Sequence, residues 1–91
     1  MSVTVKLPTQ LRASVGGAST VPSAGATVGE VLDGVYAEHP DLRERICDEE
    51  GELRRFVNVY VGGEDIRYLD GLSTPVGEGG EVQILPAVAG G

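Results

Sequence analysis

Few side chains in this 91-residue chain have the type and spacing that covalent chemistry needs. It carries one cysteine and one histidine. Cys47 is followed by Asp48, Glu49 and Glu50, and like charge disfavours the thiolate that a carrier thiol would use. A structural cysteine, buried or half-exposed, is the expectation, and a single cysteine excludes an internal disulfide. His39 has no second histidine and no ligand spacing, so it makes no zinc site; near the end of a helix it suits the helix dipole instead. The acidic run 48–50 lacks the calcium-loop pattern, and no residue pair suggests a nucleophile with its base. What remains is the chain end, Pro86-Ala87-Val88-Ala89-Gly90-Gly91, with its carboxylate. Gly90 and Gly91 have no Cβ, so they fit a narrow channel and accept dihedrals closed to other residues. Ala87, Val88 and Ala89 are small enough to pass and apolar enough to be gripped. Pro86 stiffens the exit from the preceding strand and begins an extended course. Six extended residues reach roughly 20 Å at most. Most chain ends are frayed termini; this one has the shape of a thin arm that delivers a carboxylate away from the domain surface.

An arm needs a rigid root, and the rest of the sequence supplies a small α+β domain. Residues 2–7 alternate, with Val3, Val5 and Leu7 on one face and Thr4 and Lys6 on the other, which is a half-buried strand. Pro8 helps to end it. Residues 11–15 read as irregular, and 18–22 as a weakly signalled second strand of a hairpin after the Gly16-Gly17 turn. Thr27 and Glu30 have capping-box spacing, and Val28, Val31, Leu32 and Val35 then recur at i, i+3, i+4 and i+7. Pro40 halts this helix. Gly34 costs it about 1 kcal/mol relative to alanine, so burial of the apolar stripe must carry it. Residues 41–50 hold a short helical turn with Leu42 and Ile46 inward. Residues 56–61, FVNVYV, are the strongest strand, with Val57, Val59 and Val61 on one face and Phe56, Asn58 and Tyr60 on the other. Gly62-Gly63 turns the chain into a short returning strand near 65–68. The last strand, 81–86, puts Val82 and Ile84 inward. One helix on a mixed sheet is a two-layer solution, and the first and last strands are expected as parallel neighbours joined by a right-handed crossover.

Composition bounds the partners. The formal net charge is −7, which provides no basic face for nucleic acid and disfavours anionic membranes. A basic protein partner suits it better. Fourteen glycines, about twice the usual share, collect at segment boundaries and point to short strands between turns. The start, MSVTVKLPTQ, lacks the pattern of a secretory signal, and no stretch approaches the ~20 apolar residues of a membrane span. The expectation is a cytoplasmic protein.

The element order, the I-L-P that ends the last strand and the Gly-Gly that follows resemble the ubiquitin-like sulfur-carrier family, the MoaD/ThiS family. The resemblance covers essentially the whole chain. The stretches RFVNVYVGGEDIRYLDGL and GGEVQILPAVAGG read most like its actinobacterial cysteine-pathway branch. It implies a β-grasp domain over residues 1–85, with four to five strands on one helix, and a flexible C-terminal tail over 86–91. It also implies a protein co-substrate rather than an enzyme. In the family, a ubiquitin-activating-like enzyme uses ATP to adenylate the terminal glycine carboxylate, and sulfur then replaces the adenylate to leave a thiocarboxylate. In the cysteine branch a cysteine synthase takes the sulfur onto an activated serine derivative, and a metalloprotease trims the new cysteine from the tail. Gly91 would carry the sulfur and Gly90 would match the penultimate glycine, with no cofactor bound. The alternatives are the small subunit of molybdopterin synthase, a thiamine-pathway carrier, a protein modifier joined to lysines through Gly91, and a plain interaction domain.

The sheet face turned away from the helix stays open to water in such a fold. Phe56, Tyr60 and Leu85 fall on it, and exposed aromatics there would make a docking patch for the activating enzyme. Arg54, Arg55 and Arg67 are expected to be solvated, or paired with acidic neighbours or a partner's carboxylates. Asn58 could bond nearby backbone.

Overall fold

The computed structural model describes residues 2–54 and 57–86, with the Pro86 side chain excepted. Strand β1 (Ser2–Lys6) alternates exposed and buried residues as its sequence dictates, and Leu7 extends its buried face. Residues Thr9–Val15 form a 3₁₀ helix where the sequence reads as irregular. Leu11 anchors it in the core, and Gly16 ends it at φ 70°. Strand β2 (Thr20–Ala24) begins two residues later than the expected 18–22 and pairs antiparallel with β1. The pairing decides this: Val5 lies opposite Val21 and Val3 opposite Ser23, so only this register turns Val21 inward.

Helix α1 (Val28–Glu38) buries the expected stripe of Val28, Val31, Leu32 and Val35. The Thr27 hydroxyl accepts from the Glu30 amide at 3.3 Å. The Glu30 carboxylate reaches back one residue further than in the usual box and accepts from the Ala26 amide at 3.2 Å. Residues beyond Pro40 make a full second helix, α2 (Pro40–Ile46), with Pro40 in the first turn, where its missing N–H costs nothing. Leu42 and Ile46 are fully buried. The expected single helix is therefore a pair, and α2 closes one end of the core.

Strand β3 (Val57–Val61) turns through Gly62 and Gly63, both at positive φ, into β4 (Glu64–Asp65), only two residues long. Residues Ile66–Tyr68, expected to continue that strand, instead wind into a 3₁₀ turn. The Asp65 carboxylate accepts from the Arg67 amide at 2.9 Å and starts that turn. Strand β5 (Glu81–Pro86) runs parallel to β1 and antiparallel to β3. The five-stranded sheet has the order β2-β1-β5-β3-β4, with α1 and α2 on one side, which is the β-grasp arrangement. The core forms between Val5, Val59, Val82 and Ile84 of the sheet and the α1 stripe, all at 1% exposure or less.

Candidate functional site

The chain end is rooted at the centre of the sheet. β5 is flanked by β1 along one edge, with Val5 opposite Val82, and by β3 along the other, with Val59 opposite Ile84. Gly79 and Gly80 lock its entry, the first donating to the Ser2 carbonyl at 2.8 Å and the second accepting from the Thr4 amide at 3.0 Å. Pro86 is the last residue of β5 and sits opposite Val57, where proline's missing donor falls at a strand end. Whatever follows Pro86 therefore leaves from a strand that β1 holds at Glu81, Val82 and Gln83 and that β3 holds from Val82 through to Pro86. Ala87, Val88, Ala89, Gly90 and Gly91, which carry the expected chemistry, lie outside the described residues, as does Phe56.

The outward sheet face does bring Tyr60 and Leu85 together. On β3 and β5, Tyr60 is opposite Gln83 and Leu85 opposite Asn58, so the two are diagonal neighbours on one face. Both are half-buried. The same face continues across β1, where Lys6 lies beside Gln83. Lys6, Gln83 and Leu85 line one side of a groove of about 590 Å³ that also takes in Arg12. Arg12 is fixed by donating from Nε to the Leu7 carbonyl at 3.1 Å, while Lys6 lies 3.8 Å from Glu81. Two cations thus stand near the root of the tail in a chain of net charge −7. Alternation along β1 was enough to place Lys6 on the outer face; its neighbourhood with Gln83 and Leu85 depends on a parallel register that no local pattern encodes.

Other singled-out residues serve the fold. Arg54 donates from Nε and Nη2 to the Glu44 carbonyl, at 3.2 and 3.0 Å, and so closes the last turn of α2. Arg67 donates from Nη2 to the Val57 carbonyl at 3.2 Å and to the Asn58 amide oxygen, with Asp65 3.8 Å from its Nε. It covers the free edge of β3 where β4 is too short to reach, and it is the partner of Asn58. Cys47 is buried and its thiol donates to the Tyr36 hydroxyl at 3.4 Å. Burial, followed by that contact with Cys47, pushes the Tyr36 phenol well above its ordinary value. Asp48, Glu50 and Glu52 bring carboxylate oxygens within 4.8 Å of one another. Asp48 Oδ1 accepts from the Glu50 and Glu52 amides at 2.9 and 3.0 Å, which explains the cluster as a loop tie. Among the described residues no helix is long and apolar enough to cross a membrane.

Comparison with known proteins adds to this geometry. The ThiS family model matches residues 5–91. The sulfur carrier protein CysO of Mycobacterium tuberculosis is 46% identical over 93 residues, covering all of both chains. Small archaeal modifier protein 1 of Haloferax volcanii is 35% identical over 82 residues, 87% of this chain and 90% of the relative. Among solved structures, a chain of the Amycolatopsis orientalis BexX/CysO complex superimposes with a TM-score of 0.88 at 48% identity, over 98% of this chain and 99% of that one. The Mycobacterium tuberculosis CysO crystal structure gives 0.87 at 44% identity, over 94% and 99%. With its β-grasp sheet and full-length likeness to sulfur carriers, the chain belongs to the ThiS/MoaD family of ubiquitin-like proteins and is a homologue of the sulfur carrier CysO.

Proposed function

We propose that this protein carries sulfur as a thiocarboxylate on Gly91 and gives it up for cysteine biosynthesis. The observation that carries the proposal is the likeness to CysO, 46% identical over the full length of both chains, together with a β5 paired to β1 and β3 that roots the tail. A carboxylate resists attack by a sulfur nucleophile. A ubiquitin-activating-like enzyme would join it to the adenylyl group of ATP, expelling pyrophosphate. Sulfur attack on the acyl carbon would then expel AMP and leave the thiocarboxylate. The protein contributes presentation: a rigid root, a narrow arm, and a docking face around Tyr60 and Leu85. ATP is consumed by the activating enzyme and no cofactor belongs to this chain. The likeness to a CysO found in complex with BexX supports docking of this domain on a larger partner. The net charge of −7 favours a partner with a basic face.

The pathway is tested by discharge. The loaded protein is mixed with an activated serine derivative, a cysteine synthase and the trimming metalloprotease. Formation of free cysteine in step with loss of the loaded form is expected. A loaded form that persists under these conditions would overturn the cysteine assignment while leaving the carrier role intact. The archaeal modifier likeness favours one second reading, conjugation of Gly91 to lysines, which high-mass protein adducts formed with ATP and the activating enzyme would reveal.

A further inference from the structure

A second groove, on the helix side of β3, combines an apolar floor with two arginines. It encloses about 620 Å³, and Leu53, Val57, Val59, Ile66 and Leu72 make its apolar lining. Arg54 and Arg67 stand on it beside the Glu52 carboxylate, with Asp65 3.8 Å from Arg67 Nε, so it offers two guanidinium groups on an acidic protein. Both guanidinium groups are held in place by backbone carbonyls, of Glu44 and of Val57. A guanidinium has five N–H donors, and these bonds occupy only part of each set. Beside the groove the exposed large apolar side chains among the described residues collect in one segment: Tyr68 at 87%, Leu69 at 39% and Leu72 at 42% exposure.

The topology names an occupant. Val57 lines this groove and is also the ladder partner of Pro86, so the chain beyond Pro86 begins at the groove's end. Five residues, Ala87–Gly91, span at most ~17 Å, about half of the molecule's longest extent of 33 Å. Their composition matches the lining: three small apolar side chains, two glycines and one carboxylate. Arginine is the side chain best shaped to receive a carboxylate.

We propose that Ala87–Gly91 docks back on its own domain in this groove. Val88 would rest on the apolar floor and the Gly91 carboxylate on Arg54 and Arg67. The docked arm covers its carboxylate until a partner draws it out, so docking competes with activation. The tether holds the arm at an effective concentration of order millimolar. A groove that binds the free pentapeptide with a Kd of about 1 mM is then half-filled or better in the intact chain. The functional meaning of this docking rests on the carrier reading above; its existence does not.

Methyl NMR on the full chain tests it, without activating enzyme, ATP or sulfur source, so the result is independent of whether the protein carries sulfur. The reporters are Ile66 and Leu72, which are not ladder neighbours of Pro86. Four forms are compared: the full chain, the chain ended at Pro86, the full chain with Gly91 as its amide, and Leu72→Asp, whose site is exposed enough for the fold to persist. Truncation and amidation are expected to move the Ile66 and Leu72 methyl signals in the same direction. Free Ala-Val-Ala-Gly-Gly at several millimolar should return the truncated chain's signals toward those of the full chain. In Leu72→Asp, truncation should no longer move Ile66. Identical Ile66 and Leu72 signals in the full, truncated and amidated forms would overturn the proposal. So would shifts that grow with protein concentration, which would place the tail of a second copy in the groove.

Discussion

Gly34→Ala sets two effects of similar size against each other. Replacing glycine in a helix interior gains about 1 kcal/mol, and Gly34 is an exposed position of α1. A Cβ there, however, would lie 2.7 Å from Ser23 Oγ. That hydroxyl, on β2, donates to the Val31 carbonyl at 2.7 Å and ties helix to sheet. It is the end of a short side chain, so rotation relieves the clash, at the loss of a hydrogen bond that contributes about 1 kcal/mol. The two nearly cancel: Gly34→Ala alone is expected to change stability by less than ~0.5 kcal/mol. In a Ser23→Ala background, which has already lost the bond, the same substitution should yield the full gain of about 1 kcal/mol. A double-mutant cycle by urea and thermal unfolding would therefore show a coupling of about 1 kcal/mol, or roughly 4–8 °C in Tm for a domain of this size. Stabilisation by the full amount in the single variant, or strict additivity across the cycle, would refute the reasoning. It would mean that Ser23 does not require a glycine above it.

Leu85→Ala and Tyr60→Ala should each weaken binding to the activating enzyme at least tenfold, about 1.4 kcal/mol, while circular dichroism stays native; native spectra with unchanged affinity by calorimetry would remove the docking face. Arg67→Ala should cost roughly 1 kcal/mol, since it uncovers the Val57 carbonyl and the Asn58 amide at the β3 edge while the group itself is half-exposed; chemical denaturation measures it, and an unchanged midpoint would show the edge satisfied by water. For Tyr36, the folded-state pKa lies above the unfolded one, so its contribution is complete below about pH 10 and is lost as the pH climbs past that value. Tyr36→Phe should therefore flatten the alkaline fall in stability and cost about 1 kcal/mol at pH 7 through the lost Cys47 contact; unfolding curves that fall in parallel above pH 10 would contradict it.

Period and capping were readable because they are local. Val3 and Val5, the α1 stripe, and Val82 with Ile84 all face the core as their spacing requires. The parallel β1–β5 neighbourhood followed from connection rules rather than from any residue. What sequence spacing missed was decided by tertiary partners. The 3₁₀ helix at Thr9–Val15 lacks a long apolar period and is held by Leu11 in the core. The shortness of β4 follows from the Asp65 side chain capping a turn. Arg54 and Arg67 read as solvated charges, yet each meets backbone carbonyls contributed by an element ten residues away. Of the candidate site, the shared face of Tyr60 and Leu85 was visible in alternation alone, whereas Lys6 and Arg12 beside Leu85 appear only once the strands are paired.

The central claim concerns one atom at the end of the chain. Incubation with the activating enzyme, ATP and a sulfur source, followed by intact-mass measurement, tests it most directly. Exchange of one carboxylate oxygen for sulfur should add roughly 16 Da, and fragmentation should place that increment on Gly91. An unchanged mass alongside a partner that demonstrably turns over ATP, or an increment located on Cys47, would contradict the account.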